Sequence, residues 1–153
     1  MADIQLKQYV YFAASSEVLS HQDIEALIGI KADRVIFWGE RQHEIEKSFP
    51  ITNVWQIICD KNMCIDDQIA QVIERLKPVH DNLITLSNNE AVDMFLQVVR
   101  YFDDEDGQKE IIDTSDGLTK LAGQHQLLGW HLDLEILEFL ASIKADIDVD
   151  EYN

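Results

Sequence analysis

The chain has 153 residues, 12 of them Lys or Arg and 29 Asp or Glu, for a formal charge of −17, and 46% of it is hydrophobic. That length suits one domain with one core, and the ordinary apolar content excludes an intrinsically disordered chain. The charge argues against nucleic acid and anionic membrane surfaces as partners, because both are bound through Lys and Arg that displace counterions.

The elements follow in chain order. Gln5 to Phe12 carries Tyr9, Val10, Tyr11 and Phe12 and suits a partly buried strand. Ser20, followed three residues later by Asp23 and then by Ile24, Leu27 and Ile28, predicts a short capped helix that Gly29 stops. Arg34 to Gly39 reads as a second strand or an extended arm. After Pro50, the β-branched and aromatic run Thr52 to Cys59 fits a buried strand. From Ile65 the apolar spacing changes to Ile69, Val72, Ile73 and Leu76, one helical face that runs until Pro78, with Asp66 and Asp67 in its first turn.

Ala91 to Phe102 is the most hydrophobic stretch and predicts a central strand, which leads into an exposed acidic turn at Asp103 to Gly107. Leu134, Leu137, Leu140 and Ile143 give a further amphipathic helix with Asp133 as its cap. Ala145 to Tyr152 then sets Ile147 and Val149 between Asp146, Asp148 and Asp150, a period-2 strand with one acidic face. Residues 108–130 are left unassigned. The order βαββαβαβ predicts an α+β fold, a single-domain sandwich in which helices pack one largely antiparallel sheet.

No basic region precedes an apolar run at the N-terminus, and no window reaches the length of a membrane-spanning helix, so a soluble cytoplasmic protein is expected. The two cysteines, Cys59 and Cys64, read most simply as reduced thiols, with a disulfide or a metal as the alternatives.

The segments 19–40, the Trp55 strand, 65–78, 91–102 and 134–152 together resemble the bacterial domain-of-unknown-function family 4279. The matching features are the helix ending at Gly29, the Gly39-Glu40 pair, and a final helix followed by an alternating strand that ends on Tyr152. The resemblance spans almost the whole chain. It implies a compact α+β domain and assigns no catalytic residues.

The five histidines, His21, His43, His80, His125 and His131, show no HxxxH or HExxH spacing. His125, His131 and Asp133 are the best available metal grouping, though they match no recognised ligand set. Asp103 to Asp106 lacks the calcium-loop pattern. No nucleophile elbow or glycine-rich phosphate loop occurs. Trp55 reads as core, and Trp38 and Trp130 as surface candidates. No catalytic residue, metal or cofactor is therefore assigned, and the chain is not expected to be an enzyme.

Charge placement is more informative. Residues 1–76 hold 12 acids and 7 bases, and residues 77–153 hold 17 acids and 5 bases, so the balances are −5 and −12. The acids beside the last two predicted strands suit a basic protein partner. The expected partner-binding residues are Asp103, Asp104, Glu105 and Asp106, with Asp146, Asp148, Asp150 and Glu151 second.

The size, the charge and the lack of catalytic motifs lead to a bacterial immunity protein. It would neutralise a cognate basic, nuclease-like toxin by occluding its active site, with carboxylates standing where substrate phosphates sit. The alternatives are a small-ligand or metal-dependent enzyme using acids with His125 or His131, and a general protein-interaction module. A solvated surface that only keeps the protein soluble gives the same charge count.

Overall fold

A computed structural model describes residues 8–38, 52–59, 63–101, 112–113, 119–120 and 130–152. Its chain order is β1 (Gln8–Ser16), α1 (His21–Ile28), β2 (Arg34–Trp38), β3 (Thr52–Ile58), α2 (Ile65–Leu76), α3 (His80–Ser87), β4 (Asp93–Tyr101), β5 (Ile112–Asp113), β6 (Thr119–Lys120), α4 (Leu134–Ser142) and β7 (Asp146–Tyr152). Five strands form one open sheet in the order β2-β3-β1-β4-β7. Every neighbouring pair is antiparallel except β4 with β7, which is parallel. The fold is α+β, as expected. Strands β5 and β6 form a separate small antiparallel pair in the unassigned stretch.

The sheet is sorted by side-chain parity. Val10, Phe12 and Ala14 of β1, Trp55 and Ile57 of β3, and Met94, Leu96 and Val98 of β4 are buried in one cluster with the apolar stripes of the helices. Helix α2 supplies Ile65, Ile69, Val72, Ile73 and Leu76 at the spacing of a single face. Trp55 is core, and Trp130 is half-buried against that core rather than displayed.

Local chemistry fixes the boundaries. The Ser20 hydroxyl accepts from Asp23 N at 3.1 Å while the Asp23 carboxylate accepts from Ser20 N at 3.3 Å, a reciprocal cap on α1. Gly29 closes α1 at φ 94°, a conformation that costs a side chain, and a Cβ there would lie 3.2 Å from Asn82 Nδ2. Asp133 caps α4 by accepting from Ile136 N at 2.9 Å.

Two boundaries differ from the sequence reading. Strand β1 continues through Ala13, Ala14, Ser15 and Ser16, because a strand paired on both sides is held by its neighbours whatever its small residues prefer. Helix α3 follows Pro78, in a stretch to which the sequence pattern assigns no element. The proline stands in a short 3₁₀ turn, Lys77–Val79, where its missing N–H costs little, and the chain turns into a helix that buries Leu83 and Leu86.

One ion pair ties this layer to the sheet edge. The Arg75 guanidinium binds both oxygens of Asp33 and donates to Ile58 O at 2.8 Å, while Asp33 also accepts from Ile58 N at 2.7 Å. The hydrogen bonds from Arg75 hold the Asp33 carboxyl below its usual range. With its folded pKa lowered, Asp33 stabilises the fold fully above its unfolded value, and that contribution fades as pH falls through the folded one. Both side chains are about one third exposed, which limits the pair by solvent screening. Arg75→Ala is expected to cost about 1 kcal/mol by urea denaturation at neutral pH. The gap to wild type should narrow in acid, and a gap independent of pH would contradict this role.

Candidate functional site

The parallel strand β7 is positioned by α4. Lys144, at φ 53°, turns the chain out of the helix, and Ala145 N donates to Leu140 O at 3.0 Å, so β7 starts beside Phe95. The register Leu96 to Ile147, Val98 to Val149 and Arg100 to Glu151 puts those β7 residues on the helix side. Asp146, Asp148, Asp150 and Tyr152 therefore share the opposite face with Phe95, Gln97, Val99 and Tyr101. The predicted acidic face is present. Every β7 residue except half-buried Ile147 is exposed, including Val149 on one side and Tyr152 on the other.

The four β7 acids are not equivalent. Glu151 turns to the helix side, where its carboxylate lies 3.7 Å from Arg100, a cation only 4% exposed. Burial pushes the Arg100 pKa down and Glu151 pushes it back up, while the guanidinium itself stays charged throughout the physiological range. Asp150 is oriented by Gln97, whose Nε2 donates to Asp150 Oδ2 at 3.0 Å and to Asp148 O at 3.3 Å. Among the described residues no cation forms an ion pair with Asp146, Asp148 or Asp150. The predicted loop acids Asp103, Asp104, Glu105 and Asp106 lie outside the described residues.

The same face carries aromatic rings that the sequence reading did not connect. Tyr9 and Tyr11 stack at 6.2 Å, Tyr11 meets Phe95 edge-on at 6.3 Å, and Tyr101 stacks on Tyr152 at 4.9 Å. All but Tyr152 are half-buried. Their common parity was present in the sequence, but the order β1-β4-β7 that makes them neighbours was not.

Burial, and then the adjacent Tyr101, pushes the Tyr9 pKa up from 10.0 to about 12. The Tyr11 phenol is also raised, first by burial and then by Asp150. A raised folded pKa means that the unfolded chain loses its proton first. Stability is therefore complete below about pH 10 and declines as pH climbs from there through about 12. After discounting for solvent screening, the decline should not exceed about 2 kcal/mol. Phenolate absorbance should show a late-titrating phase that Tyr9→Phe shrinks; simultaneous titration of all tyrosines at the ordinary value would contradict this.

Elsewhere the candidate chemistry resolves into structural roles. His131 pairs with Asp66 at 3.3 Å and Asp133 caps α4, while His125 lies outside the described residues. His80 Nε2 lies 2.6 Å from Ser142 Oγ, but that hydroxyl donates to Phe139 O at 2.6 Å. The imidazole must then be the donor to the serine oxygen, which is the wrong direction for activating a nucleophile. Cys59 and Cys64 are not joined in a disulfide; Cys59 is buried, with its Sγ 3.1 Å from Val10 O. Among the described residues no three His, Cys, Asp or Glu side chains gather at metal-binding distance, and no helix is long and apolar enough to cross a membrane.

Fold and site together describe an α+β protein with an acidic, exposed strand at one end of its sheet. The chain belongs to the family described as Domain of unknown function (DUF4279), whose model matches residues 5–153. No curated protein and no solved structure matches the chain.

Proposed function

We propose that this is a cytoplasmic protein-binding domain that receives a basic protein partner on its acidic edge. In its most concrete form it is a bacterial immunity protein that neutralises a cognate nuclease-like toxin by occluding the toxin's active site. The observation that carries the reading is the row Asp146, Asp148 and Asp150, exposed on one face of β7 with no cation paired to it among the described residues. Carboxylates along an extended strand are 6 to 7 Å apart at every second residue, a spacing set by the strand's rise. That is close to the separation of successive phosphates along a nucleic-acid strand, so a cleft shaped for one is filled electrostatically by the other. A chain of net charge −17 also steers a basic partner from a distance and repels the nucleic acid it would displace. The segment Asp103 to Asp106 directly follows β4 in sequence and belongs to the same proposal.

The experiment is a pull-down with the full chain as bait, followed by a nuclease assay of the recovered protein. A strongly basic partner whose nuclease activity falls to zero at one equivalent of this protein is expected. Recovery of only neutral or acidic partners would overturn the reading.

A further inference from the structure

Strand β7 is the end of the five-stranded order and, among the described residues, has a strand neighbour on β4's side only. A strand left with one unpaired edge presents its backbone N–H and C=O groups to any extended segment that can approach. Six of its seven residues are exposed, Val149 at 43% on one face and Tyr152 at 47% on the other. Natural edges of this kind are protected by charge, and here the charge also selects. In a second copy of this chain, an antiparallel β7 would set Asp directly against Asp, which is destabilising.

We infer that β7 takes up a basic extended segment of its partner as an added strand. The inference rests on the basic-partner reading above and specifies its geometry. The segment carries Lys or Arg at every second residue, so that its cations fall beside Asp146, Asp148 and Asp150 while its intervening β-branched residues fall beside Ile147 and Val149. Main-chain hydrogen bonds supply the docking and the alternation supplies the specificity. At the far end the exposed ring of Tyr152, backed by Tyr101 at 4.9 Å, offers a flat π surface for an arginine.

The test uses the full chain and a short labelled peptide with lysine at every second position and valine between, followed by fluorescence anisotropy at low salt. Its comparators are a peptide of the same composition with the lysines in one block, and two alternating peptides N-methylated along one edge or the other. The alternating peptide is expected to bind at least about tenfold more tightly than the block peptide. N-methylation along one edge should cost about tenfold or more and along the other edge should cost little. The triple variant Asp146→Lys, Asp148→Lys, Asp150→Lys should abolish binding. Equal binding of alternating and block peptides, with neither N-methylation mattering, would overturn strand addition while leaving the basic-partner reading in place. Binding that survives the triple reversal, or no binding of any lysine peptide at low salt, would overturn both.

Discussion

Gln68→Leu, which replaces a buried polar side chain with an apolar one, is expected to destabilise the protein by about 3 kcal/mol. Gln68 is fully buried in α2, a place where helices of this kind carry aliphatic residues. It is there because β3 ends first. The β1–β3 register begins at Tyr11 opposite Ile58, so Val10 N has no strand partner on that side and donates to Gln68 Oε1 at 3.0 Å. The same amide oxygen accepts from Cys59 Sγ at 3.1 Å, and Nε2 donates to Met63 O at 2.8 Å. The glutamine thus continues the sheet's hydrogen bonding for one more residue. Leucine conserves most of the volume but strands a buried backbone N–H, and the desolvation of each orphaned group costs about 1 to 3 kcal/mol. Urea denaturation of both proteins at equal m-value is the check. A loss below about 0.5 kcal/mol would mean that water or a shifted backbone satisfies Val10 instead.

The triple variant Asp146→Lys, Asp148→Lys, Asp150→Lys is expected to weaken partner binding at least about 100-fold, mostly through slower association at low salt. All three side chains are exposed, and Gln97, which loses Asp150 as an acceptor, still donates to Asp148 O, so the fold should tolerate the change within roughly 2 kcal/mol. Glu151 is left in place deliberately. Its carboxylate serves the buried Arg100, and a lysine there would set two cations together and confound binding with stability. The complementary Glu151→Gln variant should therefore lower stability more than it lowers affinity. Raising the ionic strength should bring wild type and triple variant together, since the difference between them is a screened, solvent-facing field. An affinity ratio that does not change with salt would point to lost packing rather than lost charge.

Much of the fold was legible because periodicity and capping are local. The Ser20 to Asp23 box, the apolar stripe from Ile65 to Leu76, the Asp133 cap and the alternation from Asp146 to Tyr152 each declare themselves within a dozen residues. Helix α3 is not legible locally because Pro78 signals a helix end, whereas a 3₁₀ turn lets the chain pass it and resume. The far half of β1 carries no strand signal of its own, because Ala13 to Ser16 hold their strand through two neighbours that are distant in sequence.

The site was half legible. That Asp146, Asp148 and Asp150 share a face follows from a period of two. That Glu151 points the other way follows from the same rule, but its engagement with Arg100 depends on the parallel pairing of β4 with β7. The tyrosine face needed the strand order as well. Gln68 carried no signal as a structural residue, since a glutamine within a helical pattern ordinarily reads as its solvent side.

The measurement that bears most directly on the account is hydrogen exchange of the full chain, free and bound to the basic protein it captures. Slowed exchange concentrated in residues 146–152, with α1 and α3 unchanged, is the predicted footprint. Protection confined to those helices, with 146–152 exchanging as fast in the complex as in the free protein, would contradict the claim that β7 is where the partner binds.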